Sequence, residues 1–487
     1  MRAKCPIKLK MKFRSSKLIL SAGLSGTLFL FGVVSLSTTK SIAARRAAAG
    51  QEQTIDPADV IVLGRKLFFD TTLSQPPGMA CSSCHSPAAG FSYPNSTINN
   101  DLGPVPGTIT GRFGKRKVPT AAYSTYLPTG VPTYDSVLGA YAGGLFFDGR
   151  VPDATAQAQQ PFLNPNETND TVHDIGSPAL VVEKVKNGPS SDLFKAVYGE
   201  HIFSQPTPEI YRLIARSIAA FEASPEVAPF TSKYDAWLEG KATLTIDELE
   251  GLRMATGRAN GRKNGLVNKY NAHCSECHGI VADPSIGPDL WTFSCYANLG
   301  VPKNPNNPFY RMTNRISNPA GYNHLGVDYI DYGLGDFLYP QLGKTPGDLA
   351  EGDPLAIDGT FKTPTLRNVD MRPYPGFVKC YMHNGVFKSL KQVVHFYNTR
   401  NLTSYPGEVI DFTKPDPYAG LKGKPLWPRP EWPSPTTMIN PQGASNVVEH
   451  VGQIGSNEQI GNMGMTDQQE DQIVAFLKTL TDGYFDR

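Results

Sequence analysis

The sequence predicts a mainly helical protein, with long irregular loops and two halves of similar make-up. Apolar residues recur at helical spacing behind typical helix-capping residues, and no segment shows sustained alternation of apolar and polar residues. The 46 glycines and 41 prolines favour loops over regular structure. One short cysteine motif occurs once in each half. Together these observations predict an all-α fold of two small domains with Gly/Pro-rich loops.

Helix starts are predicted near both ends of each half. Asp56-Pro57 begins the first helix, and Thr207-Pro208 provides the cap and first turn of the last helix of the first half. In the second half, the segments 245–248 and 466–469 have the spacing of capping boxes. Residues 404–441 contain nine prolines and are predicted to be an irregular surface segment, not a further domain.

The repeated motif is CxxCH, at residues 81–85 and 274–278. It is the attachment sequence of c-type haem, in which both thiols bond to vinyl groups and the histidine becomes an axial iron ligand. A zinc site of two CxxC hooks is the alternative, but it needs no histidine directly after both second cysteines. The sequence therefore predicts two covalent haems held by Cys81, Cys84, His85, Cys274, Cys277 and His278. The expected architecture is two cytochrome c-like haem domains, at 51–240 and 241–487.

Residues 1–44 have the pattern of a secretory signal peptide. Seven basic residues and no acid precede the apolar run from Leu18 to Leu36, and small residues follow it up to Ala44. The run is long enough that an uncleaved membrane anchor is the alternative. In both cases the body of the protein is predicted to be periplasmic or otherwise exported.

The net charge changes when residues 1–44 are removed. They contain eight basic residues and no acid, so the formal charge falls from +2 to −6. A mildly acidic protein does not favour nucleic-acid binding, and it permits docking of a basic electron donor.

Two cysteines remain outside the haem motifs and the signal segment, Cys295 and Cys380. An even pair in an oxidising compartment is a disulfide candidate. Two buried free thiols are the equal alternative.

Around these motifs the sequence resembles the bacterial di-haem cytochrome c peroxidase and MauG family, from about Leu63 to the C-terminus. The matching blocks occur in the family's order: LGRKLFFD (63–70), FFDGR (146–150), NPNE (164–167), NLGVPKNP (298–305), FKTPTLRNV (361–369), YMHNG (381–385), VVHFYN (393–398) and AFLKTLTDGY (475–484). The resemblance implies an enzyme that reduces hydrogen peroxide to water at the N-terminal haem, with electrons passing through the C-terminal haem. It implies a small redox protein as donor, such as a cytochrome c or a cupredoxin.

The resemblance also implies residue roles at the first haem. Glu167 falls on the family's catalytic glutamate and Gln157 on a pocket glutamine. A carboxylate suits O–O cleavage because it can take a proton from one peroxide oxygen and return it to the other. Without the resemblance, Glu167 would be interpreted as a surface glutamate. No histidine occurs between Ser86 and Arg116, where many members place a blocking ligand, so His85 is expected to be the only protein ligand of this iron.

At the second haem the resemblance implies a tyrosine ligand. Fourteen residues after His383, peroxidases of the family place a methionine and MauG places a tyrosine; here the residue is Tyr397. A phenolate favours ferric iron, whereas a thioether raises the haem potential. Met382, His383 and His395 are rival ligands, and simple packing of Tyr397 against the haem edge is a further alternative. The expectation is ligation by His278 and Tyr397, as in MauG-like members.

Two positions depart from the family. Phe147 stands where the family has its inter-haem tryptophan, and Lys117 stands where an asparagine contributes to a calcium site between the haems. The lysine ammonium either replaces the calcium charge, or calcium binds through backbone oxygens and water.

Three functions are open at this point. The first is a peroxide-reducing di-haem peroxidase of the tyrosine-ligated branch. The second is a MauG-type oxidase that acts on Trp or Tyr of a partner protein. The third is an electron-transfer cytochrome, against which Glu167 and the missing histidine argue.

Overall fold

The computed structural model describes residues 55–136, 138–166, 177–260, 263–267, 272–279, 288–316, 321–345, 357–400, 427–428, 431, 460–461 and 463–486. The predicted signal segment and nearly all of the proline-rich segment lie outside these residues. Residues 51–487 form one compact unit, and the domain boundary at 240/241 stays a prediction. Within the described ranges, no helix has both the length and the apolar character needed to cross a membrane.

The described chain is helix-rich and its sheets are small. The α-helices are α1 Pro57–Phe68, α2 Cys81–Cys84, α3 Ser96–Asp101, α4 Ala154–Gln159, α5 Pro178–Asn187, α6 Ser191–Tyr198, α7 Thr207–Glu222, α8 Lys233–Leu238, α9 Ile246–Thr256, α10 Cys274–Cys277, α11 Leu334–Gln341, α12 Leu390–Thr399 and α13 Asp467–Lys478. The strands are β1 Thr133–Asp135, β2 Ala140–Ala142, β3 Arg258–Asn260, β4 Lys263–Val267, β5 Tyr296–Ala297 and β6 Phe361–Lys362. They form antiparallel pairs, β1–β2, β3–β4 and β5–β6. The predicted helical character is confirmed, whereas these two-stranded sheets were not predicted.

Three of the predicted helix starts occur as expected. The Asp56 carboxylate accepts a hydrogen bond from the backbone N–H of Ala58 at 2.9 Å. Capping boxes form at Thr245 before α9 and at Thr466 before α13. The start of α7 differs by one residue, because Thr207 is its first residue and not its cap.

One helix pair recurs in both halves, α1 with α7 and α9 with α13. A Cβ on Gly64 would lie 1.8 Å from the carbonyl oxygen of Ser217, and a Cβ on Gly251 would lie 1.9 Å from that of Gln472. Only glycine permits so close an approach of two helix backbones. A phenylalanine of the second helix packs beside each glycine: Phe221 and Phe476. The sequence thus builds the same helix crossing next to each CxxCH motif.

A tight chain reversal also recurs, each time before a helix. It is closed by an isolated antiparallel bridge: Leu145 with Val151, and Tyr381 with Phe387. Each reversal contains one non-glycine residue in the left-handed region, Phe146 at φ 65° and Met382 at φ 63°. The helices that follow, α4 and α12, therefore occupy corresponding places in the two halves.

Candidate functional site

A cavity of about 530 Å³ surrounds the first CxxCH motif. Cys81 and Cys84 begin and end the one-turn helix α2, and His85 follows it. Both cysteines and His85 line the cavity, together with Leu67 of α1 and Ile218 of α7. The volume is within the range of roughly 300–1,000 Å³ that is typical of sites for small molecules and cofactors.

His85 is held by the backbone. Its Nδ1 donates to the carbonyl oxygen of Phe91 at 3.1 Å, and Phe91 has a positive φ of 55°. Burial lowers the pKa of His85, which keeps the ring neutral at pH 7. A neutral imidazole whose Nδ1–H is bonded to a carbonyl carries its lone pair on Nε2, the form that binds a metal ion.

The second CxxCH motif repeats this arrangement beside a cavity of about 220 Å³. Cys274 and Cys277 begin and end α10 and line that cavity. Nδ1 of His278 donates to the carbonyl oxygen of Trp291 at 3.2 Å, and Trp291 has a φ of 54°. Burial lowers the pKa of His278 to about 4. Each cavity thus has two thiols and one oriented neutral imidazole, and these residues fit a c-type haem.

Tyr397 of α12 lines the second cavity. Its pKa is raised by burial and by the nearby Cys277 and Cys274, while Arg400, one turn later in the chain, acts in the opposite direction. The Tyr397 hydroxyl is therefore within electrostatic range of both cysteines of the motif.

The three rival ligands lie in different surroundings. Met382 and His383 line the second cavity, but the ring of His383 stacks on Phe361 with their centroids 3.5 Å apart. His395 is not among the described residues that line the cavity, and its Nδ1 is 2.8 Å from a carboxylate oxygen of Glu470. Of the two nearby residues of α12, His395 and Tyr397, only the tyrosine faces the cavity.

Helix α4 and the turn after it follow the first chain reversal, as α12 follows the second. The first bridge ends at Val151 and the second at Phe387. At equal distances along the chain from these two residues, Gln157 corresponds to Val393 and Pro161 to Tyr397. All four residues line their respective cavities. A proline side chain has no atom that can bind a metal ion, so the first cavity has no potential metal ligand at the position that corresponds to Tyr397.

Gln157 is placed in the first cavity, as expected, but Glu167 lies outside the described residues. The chain is described up to Asn166, which also lines this cavity. The Asn166 side chain donates to the carbonyl oxygen of Gly321 at 3.0 Å. The segment that leads to Glu167 is therefore fixed against the second half of the chain.

Four residues line both cavities and form a shared wall: Lys117, Val118, Pro119 and Phe147. Nζ of Lys117 lies 5.8 Å from the centroid of the Phe147 ring, and its backbone N–H donates to the carbonyl oxygen of His383 at 2.9 Å. The two residues that depart from the family thus meet between the CxxCH motifs. In the described part of the chain, no group of three or more His, Cys, Asp or Glu side chains could hold a metal ion.

Cys295 and Cys380 are buried and free. Sγ of Cys295 is 3.4 Å from Oγ1 of Thr363, and Sγ of Cys380 is 3.5 Å from Oδ1 of Asn99. In the structure Cys295 and Cys380 are therefore two separate buried thiols, as in the alternative to the disulfide.

Two residues of the first cavity were missed by the sequence analysis, Pro161 and Glu222. Glu222 ends α7, lines the cavity, and has its pKa raised to about 8 by burial. In the sequence it resembles a surface residue, since only the packing of α7 on α1 turns it inward. The role of Pro161 could have been found by aligning the reversals around Gly149 and Gly385.

Two CxxCH cavities in one helix-rich chain define a di-haem c-type protein, and comparison with known proteins identifies its family. The profile of the di-haem cytochrome c peroxidase family matches residues 58–243. Cytochrome c551 peroxidase of Nitrosomonas europaea is 30% identical over 344 residues, 70% of this chain and 73% of that protein. The chain therefore belongs to the di-haem cytochrome c peroxidase and MauG family and is an oxidoreductase.

Two further relatives span most of the chain. The methylamine utilization protein MauG of Paracoccus denitrificans is 29% identical over 439 residues, 89% of this chain and 92% of that protein. Among solved structures, the diheme peroxidase BthA of Burkholderia thailandensis is 27% identical with a TM-score of 0.61, over 89% of this chain and 88% of that chain.

Proposed function

We propose that this chain is an exported di-haem peroxidase that reduces hydrogen peroxide to water at the first haem, with electrons supplied through the second. The observation that carries the proposal is the difference between two otherwise matching cavities. Both contain an oriented histidine, but Tyr397 in the second corresponds to Pro161 in the first. This difference supports one haem iron with a second protein ligand and one haem iron without it.

The haems are proposed to be attached through Cys81 and Cys84 in the first half and through Cys274 and Cys277 in the second. His85 and His278 would hold the irons through Nε2, since a backbone carbonyl engages Nδ1 in each case. When bound, the haems supply redox chemistry and, at the open site, a place for peroxide. The surrounding residues form two cytochrome c-like domains, 51–240 and 241–487, a division that agrees with the repeated helix pair and chain reversal.

In the first cavity the protein's own groups bind and protonate peroxide. Pro161 offers no atom that could bind a haem iron in this cavity, and the Gln157 amide, one turn earlier, could hydrogen-bond to peroxide held there. Glu167 is proposed to move a proton from one peroxide oxygen to the other. The position of Asn166 in the cavity wall supports this role, because it brings the chain to within one residue of Glu167.

In the second cavity Tyr397 is proposed to be the sixth ligand. It faces the cavity from α12, whereas His395 of the same helix pairs with Glu470. Burial holds the Tyr397 proton in the absence of iron, so ligation as phenolate requires the metal charge to stabilise the anion. Met382 and His383 are the alternative ligands, and substitution of Tyr397 distinguishes them from it.

Electron exchange between the haems is proposed to occur through the shared wall that contains Phe147. Phenylalanine is harder to oxidise than tryptophan, so the wall does not provide an easily oxidised stepping residue there. Calcium stays a prediction with two alternatives, replacement by the Lys117 ammonium or binding through backbone oxygens and water.

A second candidate function is oxidation of Trp or Tyr on a partner protein. Two observations favour it: the tyrosine facing the second cavity, and a similarity to MauG that covers 89% of this chain. An electron-transfer cytochrome without peroxide chemistry is the third, and the open position beside Pro161 argues against it. The electron donor is proposed to be a small redox protein, and the charge of −6 without residues 1–44 gives no support for nucleic-acid binding.

The oxidised protein is expected to react with hydrogen peroxide without prior reduction, and Pro161→Tyr is expected to abolish that reaction. A tyrosine at this position matches Tyr397 and can occupy the open iron site. The measurement is stopped-flow absorbance of the oxidised holoprotein mixed with peroxide, followed by steady-state turnover with a reduced cytochrome c.

Pro178→Tyr is the matched control. Pro161 begins a short 3₁₀ helix, Pro161–Leu163, and Pro178 begins α5, but Pro178 lies outside both cavities. Wild-type reactivity of Pro161→Tyr would contradict the assignment of the open site. Reaction with peroxide but no turnover with any small donor would favour oxidation of a partner protein.

A further inference from the structure

Three lysines line the second cavity: Lys117, Lys362 and Lys379. Two of them, Lys362 and Lys379, are buried and donate hydrogen bonds to backbone carbonyl oxygens. The partners are Gly144 for Lys362, and Ala89, Asn368 and Met371 for Lys379. These two ammonium groups tie separate segments together through hydrogen bonds to the backbone.

Lys117 is different, because among the described residues no hydrogen-bond acceptor or carboxylate contacts its Nζ. The ammonium lies 5.8 Å from the centroid of the Phe147 ring, and the Cys380 thiol is a nearby group that would favour its charge. Its charge also acts on His85 of the first motif and on Lys379 of the second cavity. It is thus a cation in the wall between the two haem sites.

The acids in the second cavity wall are already engaged. Both carboxylate oxygens of Asp331 accept hydrogen bonds from Arg116 at 2.6 Å. Glu431 accepts from the Tyr310 hydroxyl at 2.9 Å and from the Asn384 side chain at 3.2 Å. Lys117 is half-buried and lines both cavities, so a haem that filled them would cover its ammonium. A charge covered in this way is unfavourable without a partner, and an anionic group of the haem would supply one.

We propose that Lys117 is the ion partner of a haem propionate in the shared wall, and that its charge raises the reduction potentials of both haems. The propionates are the anionic groups that haem would bring to these cavities. Lys117 lines both cavities and can therefore reach a propionate of a haem in either one. A nearby cation favours the reduced, less positive iron, by Coulomb interaction. The proposal rests on the haem positions proposed above, but not on peroxide chemistry.

The test is potentiometry of the holoprotein in three variants. Lys117→Met removes the charge at similar size, and both potentials are expected to fall. The expected fall is about 59 mV for one electron, which corresponds to a tenfold change in the ratio of oxidised to reduced haem at a fixed solution potential. Lys117→Arg keeps the charge and should retain wild-type potentials. Lys388→Met is the control, since Lys388 bonds to the carbonyls of Asn99 and Gly385 and lies outside both cavities.

Unchanged potentials in Lys117→Met, or a fall at only one haem, would overturn the proposal. If Lys117→Met does not fold, Lys117→Gln takes its place, because it keeps an N–H donor without the charge and should show the same fall. Haem content, from the pyridine haemochrome spectrum, separates this test from the proposed function. Fewer than two haems in the wild type would contradict the proposed function, whereas two haems with unmoved potentials would contradict only the role of Lys117.

Discussion

Glu167→Gln is expected to slow peroxide turnover by about 10²–10⁴-fold, the usual contribution of a general acid–base group. The amide keeps the size of the side chain and much of its hydrogen bonding, but it cannot take up and return a proton. Haem content and the resting spectrum should barely change, because the carboxylate is not proposed to bind iron. The measurement is steady-state peroxide reduction with a reduced cytochrome c, together with stopped-flow kinetics of the first step.

Glu183→Gln is the control for Glu167→Gln, since Glu183 is an exposed glutamate of α5 that lies outside both cavities. It should retain wild-type turnover. If Glu167→Gln also turned over at the wild-type rate, Glu167 would be a surface residue, and proton transfer would have to be assigned to another group. Glu222, whose pKa is raised to about 8 in the same cavity, would then be the next residue to test.

Tyr397→Met is expected to raise the reduction potential of the second haem by a sizeable part of the roughly 0.8 V that axial ligands span. An anionic phenolate favours ferric iron, whereas a thioether favours the reduced state. Tyr397→Phe should leave this iron without its sixth ligand, or allow water or a neighbouring side chain to bind. Potentiometry and low-temperature absorption spectra measure both effects.

Tyr198→Phe is the control for the tyrosine variants. Its hydroxyl bonds to Ser217 at 2.8 Å on α7, and it lies outside both cavities. A Tyr397→Phe protein with the wild-type potential and spectrum would show that Tyr397 only packs against the haem. Met382 or His383 would then be the ligand to examine, and the similarity to the tyrosine-ligated branch would lose its main residue.

Features that depend on a few adjacent residues could be predicted from the sequence. The cap at Asp56 and the capping boxes at Thr245 and Thr466 occur as expected, because their hydrogen bonds form within one helical turn. The two CxxCH motifs, from which two haem sites were predicted, each line a cavity, and in each the histidine directly follows a one-turn helix. In these cases local geometry alone decides the structure.

Features that depend on contacts between distant segments could not be predicted. The predicted oxidising compartment and the even number of remaining cysteines favour a disulfide between Cys295 and Cys380. In the structure, however, each of them is packed against a different neighbour. The strands of β1–β2 and β5–β6 contain only two or three residues, too few for a periodic pattern. The inward direction of Glu222 and the isolation of the Lys117 ammonium follow from packing of the whole chain.

Electron paramagnetic resonance of the resting, fully oxidised protein tests the central claim most directly, which is one open and one closed haem. With His85 alone on the first iron, and with His278 and Tyr397 on the second, the spectrum should contain one high-spin and one low-spin ferric signal of equal weight. Addition of peroxide should remove the high-spin signal without prior reduction. Two low-spin signals, with reactivity only after partial reduction, would contradict the account, because a protein side chain would then occupy the position that Pro161 is proposed to leave open.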